Sequence, residues 1–168
     1  QVPTIMSFDL RGHGLSTEAG EKKYAYDSMT KAEFAMIPGD IRQAVAYILT
    51  DTAQQIDGAD ITVVGASLGA NSAAMTAQLV TGVKRVVMLS PGENYRDLTP
   101  AESVQRFQGS MLIFAGADDT YSAESSRKLA ELNSAHGQLA IFEGKDHGTD
   151  IINNNDKAMT MLVDWLAQ

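Results

Sequence analysis

The chain has 168 residues, 44% hydrophobic and 20% charged, which is enough for one globular domain with a substantial core. A formal net charge of -8 without a dense Lys/Arg run argues against a nucleic-acid partner, and zero cysteines exclude a disulfide framework, a thiolate metal site and a cysteine nucleophile. No stretch approaches the roughly 20 apolar residues of a membrane span or reads as a charged-then-apolar leader, so a soluble chain is expected, with its compartment left open.

Apolar runs bounded by turn residues predict strands at 2–8, 61–64, 85–89, 111–115 and 138–142, separated by intervals long enough for crossover helices. This alternation predicts an α/β domain over 1–168, a parallel sheet with flanking helices and no linker. After the first strand, Ile41, Ala44, Val45, Ile48 and Leu49 recur at helical spacing, and Asp40 behind Pro38-Gly39 is a suitable N-cap, so a helix is expected over 40–51. An alanine-rich segment predicts a helix over 70–80, and a weaker pattern predicts another over 123–135, ended by Gly137 as a glycine cap. Only about twenty residues, rich in Pro, Gly and polar groups, separate the strands ending near Leu89 and starting near Met111, too few for a large lid domain. Asn153-Asn154-Asn155 reads as a loop before a last amphipathic helix, where Ala158, Met161, Leu162, Trp165 and Leu166 share one face and Trp165 anchors the core.

Chemistry concentrates at Gly65-Ala66-Ser67-Leu68-Gly69, which joins the strand at 61–64 to the helix at 70–80. A serine in a sharp strand-to-helix turn is strained toward positive φ, and glycines two positions to either side remove Cβ atoms that would clash. Ser67 then sits exposed at a helix N-terminus, where the Leu68 N–H is the first donor for a developing oxyanion. The same pentapeptide also suits a tight turn with Ser67 as an ordinary N-cap, so the partners decide.

A serine nucleophile needs a base, and the base needs a carboxylate to orient it. His147, in Gly144-Lys145-Asp146-His147-Gly148, follows the strand at 138–142 and falls at the same carboxyl edge as Ser67. His136 beside Gly137 reads as a solvated helix-end residue, and His13 is a lesser candidate. Asp118 and Asp119 follow the strand at 111–115 and compete for the acid role. Three loops at one sheet edge thus deliver Ser, Asp and His in chain order.

At this level the chain resembles the α/β-hydrolase family over essentially all 168 residues. Asp9-Leu10-Arg11-Gly12-His13-Gly14-Leu15-Ser16 is similar to the loop after the family's fourth strand, Gly65 to Gly69 to the elbow after its fifth, and Gly144 to Gly148 to its histidine loop. Ser90-Pro91-Gly92 and Asp119-Thr120-Tyr121-Ser122-Ala123-Glu124-Ser125 resemble small, lidless bacterial members, and that likeness favours Asp119 over Asp118 as the acid. The resemblance implies that Asp9, Arg11 and His13 form a structural turn, while Tyr95 and Tyr121 are candidates for lining a pocket. It also implies that the family's first three strands, its first helix and its second oxyanion donor lie upstream of Gln1. The expectation is therefore the carboxyl-terminal two thirds of the fold, with either an upstream segment or a second copy in a homo-oligomer supplying the sheet contacts.

The expected activity is hydrolysis of a small-molecule carboxylic ester through an acyl-enzyme, with Ser67, Asp119 and His147 as triad and Leu68 as oxyanion donor, and without metal or organic cofactor. Two alternatives stay open: acyl transfer or thioester cleavage by the same triad, and a non-catalytic binding module on a truncated hydrolase fold.

Overall fold

A computed structural model describes residues 4–50 and 60–168. Ahead of the main sheet lie a two-residue hairpin, β1 (Glu18–Ala19) with β2 (Lys22–Lys23), and the helices α1 (Lys31–Phe34) and α2 (Ile37–Thr50). The main sheet comprises β3 (Ile61–Ala66), β4 (Val83–Leu89), β5 (Ser110–Gly116) and β6 (Gly137–Phe142). These strands are all parallel and stand side by side in chain order. The connecting helices are α3 (Leu68–Ala77), α4 (Ala101–Arg106) and α5 (Thr120–Leu132), followed by α6 (Asp150–Asn154) and α7 (Asp156–Leu166).

Sequential parallel pairing with right-handed crossovers puts every connecting helix on one face. The two-residue period of the strands divides the core accordingly. Val86, Met88, Met111 and Ile113 pack with Phe34, Ile37, Ala70, Ala73, Val104 and Leu129 from α1 to α5. Val87, Leu89, Leu112 and Phe114 face the other way and pack under Ile151, Ala158, Leu162 and Trp165 of α6 and α7. Trp165 is thus a core anchor, at 4% exposure. Small residues let α3 lie tight between sheet and α2: nine of its ten residues are buried, and Thr76 Oγ1, which donates to the Ser72 carbonyl at 2.8 Å, lies 3.2 Å from the Pro38 carbonyl. Among the described residues the outer edge of β3 has no strand partner, and Val64 on its second face is 49% exposed.

The first expected strand does not form over its described residues. Over residues 4–8 the backbone pairs with no other strand, and Ile5 and Phe8 are 84% and 44% exposed. An apolar run becomes a strand only where a neighbour accepts its N–H and C=O groups; Val2 and Pro3 lie outside the described residues. The helix expected over 40–51 starts earlier, at Ile37, because proline is well suited to a first helical turn where no N–H partner is needed. Asp40 therefore lies inside α2 and caps nothing; its carboxylate instead takes the Arg11 guanidinium at both oxygens, at 2.6 and 2.8 Å. Asp51 of that expected helix lies outside the described residues.

The other helices shift by a few residues: α3 ends at Ala77 and α5 runs Thr120–Leu132, with Asn133 at its C-terminus. Gly137 opens β6 and is no helix cap, and the exposed His136 sits in the connecting turn. Asn153 and Asn154 belong to α6, whereas Asn155 caps α7, its Oδ1 accepting the Lys157 and Ala158 N–H groups. Asn155→Ala is expected to cost about 1 kcal/mol, lowering the melting temperature by about 3 °C in a chain of this size; thermal denaturation measures it. No helix among the described residues is long and apolar enough to cross a membrane.

Candidate active site

β3 delivers its chain into α3 through Ser67, whose φ of 54° and ψ of -121° lie where L-residues are strained. A Cβ at Gly65 would overlap the carbonyl of Gly69, so only glycine allows the strand to approach the helix this closely. Gly69 differs from expectation: it is helical, and a Cβ there would meet only Leu10 Cδ1, at an ordinary 3.7 Å. The Ser67 N–H donates to the Leu89 carbonyl at 2.8 Å and anchors the turn on β4. Leu68 is the first residue of α3, so its N–H belongs to the unsatisfied helix N-terminus.

Ser67 Oγ lies 2.8 Å from His147 Nε2, and His147 Nδ1 lies 2.6 Å from Asp119 Oδ2. An ionised carboxylate accepts only, so the Nδ1 that faces it carries the proton and Nε2 is left to accept from the serine hydroxyl. Of the two adjacent aspartates, Asp119 makes this contact. It occupies the N-cap position of α5 but gives no side-chain cap, its carboxylate being turned to the histidine. Asp118 is exposed, and it is its backbone N–H that is used, donating to the Gly144 carbonyl at 2.9 Å. The acid and histidine loops are joined further by Ala117 N–H to the Phe142 carbonyl and by Gly116, where a Cβ would stand 2.6 Å from the Asp146 carbonyl oxygen.

Around the triad, Ser90 and Ser122 lie in segments that carry the family likeness and Tyr95 and Tyr121 are the pocket-lining candidates, whereas Asn71 carries no periodic or motif signal. Ser90, buried and at φ 52°, leaves β4 in a strained bend, and its Oγ accepts the Gly148 N–H at 2.8 Å, beside His147. Buried Asn71 on α3 holds the following loop through Gly92 N–H, Gly92 C=O and Leu98 C=O. The Tyr95 hydroxyl stands 3.0 Å from Ser122 Oγ, and its ring meets the His147 ring edge-on at 6.4 Å between centroids. Burial pushes the Tyr95 phenol above its ordinary value, so it stays protonated, although the hydrogen bond with Ser122 opposes that rise. The Tyr121 hydroxyl is occupied by the backbone of Asn94.

His13 lies outside this group, its Nδ1 near the Arg11 carbonyl and its ring against Tyr26. With Asp9 accepting the Leu15 N–H and Gly12 and Ser16 N–H groups donating to the Ser16 and His13 carbonyls, the 9–16 segment is a self-bonded turn, tied to α2 by the Arg11–Asp40 pair. Among the described residues no three His, Asp or Glu side chains converge as a metal-ligand set.

The sequence matches the family model of the α/β hydrolase fold over residues 4–119. No curated protein matches it. Among solved structures it is similar to the Pyrococcus furiosus esterase Pf2001, with a TM-score of 0.71 at 16% identity, over 94% of this chain and 66% of that one. A lipase-esterase related protein of Clostridium acetobutylicum gives a TM-score of 0.65 at 16% identity, over 93% and 80% of the two chains. MenH from S. aureus gives 0.64 at 14% identity, over 95% and 82%. The chain thus spans just under two thirds of the length of the Pyrococcus esterase.

Proposed function

Since the chain belongs to the α/β-hydrolase fold family, we propose that it is a serine hydrolase cleaving carboxylic esters, with Ser67 as nucleophile, His147 as base and Asp119 as its orienting acid. The observation that carries this reading is the unbroken hydrogen-bonded series from Ser67 Oγ through both His147 nitrogens to Asp119. The names of the Pyrococcus and Clostridium structures support ester chemistry among its relatives in fold.

Ser67 Oγ attacks the ester carbonyl carbon as its proton passes to His147 Nε2, and the new imidazolium is stabilised by Asp119. The carbonyl oxygen gains negative charge against the Leu68 N–H and the positive end of α3. Collapse breaks the bond to the alcohol, which leaves with the His147 proton. A water, deprotonated by His147, then attacks the acyl-enzyme; the acid is released and the proton returns to Ser67. A single backbone donor in such a hole is worth on the order of a hundredfold in turnover. Substrate reaches the pair directly, because the side chain of His147 is 43% exposed.

A fluorophosphonate probe tests the nucleophile. The expected result is one adduct per chain on the peptide containing Ser67, together with hydrolysis of short aryl esters. A folded chain that takes no adduct, or takes it elsewhere, would refute the reading and favour a binding module.

A further inference from the structure

The loop carrying Tyr95 is fixed far more firmly than a surface connection requires. Tyr95 and Leu98 exchange backbone hydrogen bonds around Arg96 and Asp97, both non-glycine residues at positive φ, 53° and 67°. Strain of this kind persists only where surrounding contacts impose it. Here the Arg96 guanidinium lies over the Tyr26 ring at 5.0 Å, Asp97 pairs with Lys31 at 2.7 Å, the Asp97 N–H donates to Asn94 Oδ1, and Asn71 holds the Leu98 carbonyl. All of this sets one group in place, the Tyr95 hydroxyl, which lies between buried Ser122 and the Ser90 carbonyl at 3.0 and 3.4 Å.

The direction of the bonds follows from proton counting. The Asp119 carboxylate requires a proton on His147 Nδ1, so Ser122 Oγ, 3.5 Å from that nitrogen, faces it with a lone pair. The Ser122 proton is then free for the Tyr95 oxygen, and the phenol proton goes to the Ser90 carbonyl. Ser90 in turn accepts the Gly148 N–H through Oγ, and the circuit closes on the residue next to His147. Two of the distances are long, as catalytic hydrogen bonds often are before substrate tightens them.

Building on the proposed triad, we propose that Tyr95 and Ser122 are positioning residues of the site: a brace from the Ser90 carbonyl through both hydroxyls that gives His147 Nδ1 a second acceptor, fixing the ring and stabilising its protonated form. Of the charged residues on the segments that carry the ring, Asp119 lies across Nδ1, Lys145 and Asp146 precede His147 in its loop, and Asp150 follows it, its N–H donating to the His147 carbonyl. Neither Tyr95→Phe nor Ser122→Ala changes any of these charges.

Tyr95→Phe keeps the ring and its packing and removes only the hydroxyl; Ser122→Ala removes the acceptor itself. For both, kcat on a short aryl ester is expected to fall about tenfold with KM changed less than about twofold, the loss of one modest hydrogen bond to a charged group. The His147 Nδ1–H resonance, assigned with a His147→Gln variant, is expected to shift and to exchange faster with water in Ser122→Ala without any substrate present. That resonance separates the brace from the proposed reaction, since it reads the ring whether or not the protein hydrolyses esters. An unmoved resonance, or a change in KM alone, would overturn the brace.

Discussion

Ser67→Ala is expected to lower ester turnover by on the order of 10⁵-fold and to abolish fluorophosphonate labelling, while the melting temperature stays within a few degrees. The fold is expected to survive because alanine has the same Cβ as serine at φ 54°, and because the Ser67 N–H bond to Leu89 is a backbone bond. Asp119→Asn is expected to cost on the order of 10⁴-fold in kcat: an amide in that place favours the wrong histidine tautomer and no longer stabilises the imidazolium. Asp118→Asn should stay within about threefold of the wild type, since the exposed side chain makes no contact with His147 and the backbone bond to Gly144 is unaffected. Steady-state kinetics on the three purified variants read all of these effects. A collapse of the Asp118 variant beside an active Asp119 variant would reverse the assignment of the acid.

The difference between those neighbouring aspartates marks where the sequence ceased to be legible. Four strands announce themselves as apolar runs, three of them followed at once by glycine or serine, and in a parallel sheet every carboxyl end faces the same rim, so Ser67, the aspartate pair and His147 were bound to lie near one another. Which carboxylate turns inward depends on how the chain enters α5, a matter of a single residue's rotation, and only the likeness to relatives favoured Asp119. What Ser90, Ser122 and Asn71 bond to was illegible for another reason: their partners are separated from them by 58, 25 and up to 27 positions, and a small hydroxyl or amide leaves no periodic trace of its partner. The run at 2–8 shows the converse failure. Its composition suits a strand, but strand formation is a property of two segments, and among the described residues no second one lies against residues 4–8. Pro38-Gly39 looked like a break before a helix, yet a proline in the first turn is compatible with helix, so the pattern started three residues earlier than its apolar spacing indicated.

Gly65→Ala and Gly69→Ala are expected to behave in opposite ways although both glycines belong to the same motif. At Gly65 the added methyl would overlap the Gly69 carbonyl and crowd the Ala70 nitrogen, and neither can move away, because α3 is buried along nearly its whole length between the sheet and α2. Relief would have to come from lifting β3 or shifting α3, each of which breaks close packing, at a cost of about 3 kcal/mol or more. The melting temperature should then fall by about 10 °C, and activity should disappear with the elbow, because the same shift moves Ser67 off His147. At Gly69 the methyl enters ordinary contact with Leu10, and alanine's higher helix propensity contributes up to about 1 kcal/mol in favour of the variant. Gly69→Ala should therefore melt at or slightly above the wild-type temperature, with kcat within about threefold. Thermal denaturation and ester kinetics on the pair decide it. Equal damage from both substitutions would mean that the elbow needs two glycines and that the room beside Leu10 is not real; the asymmetric result would assign the steric requirement to the strand side of the turn alone.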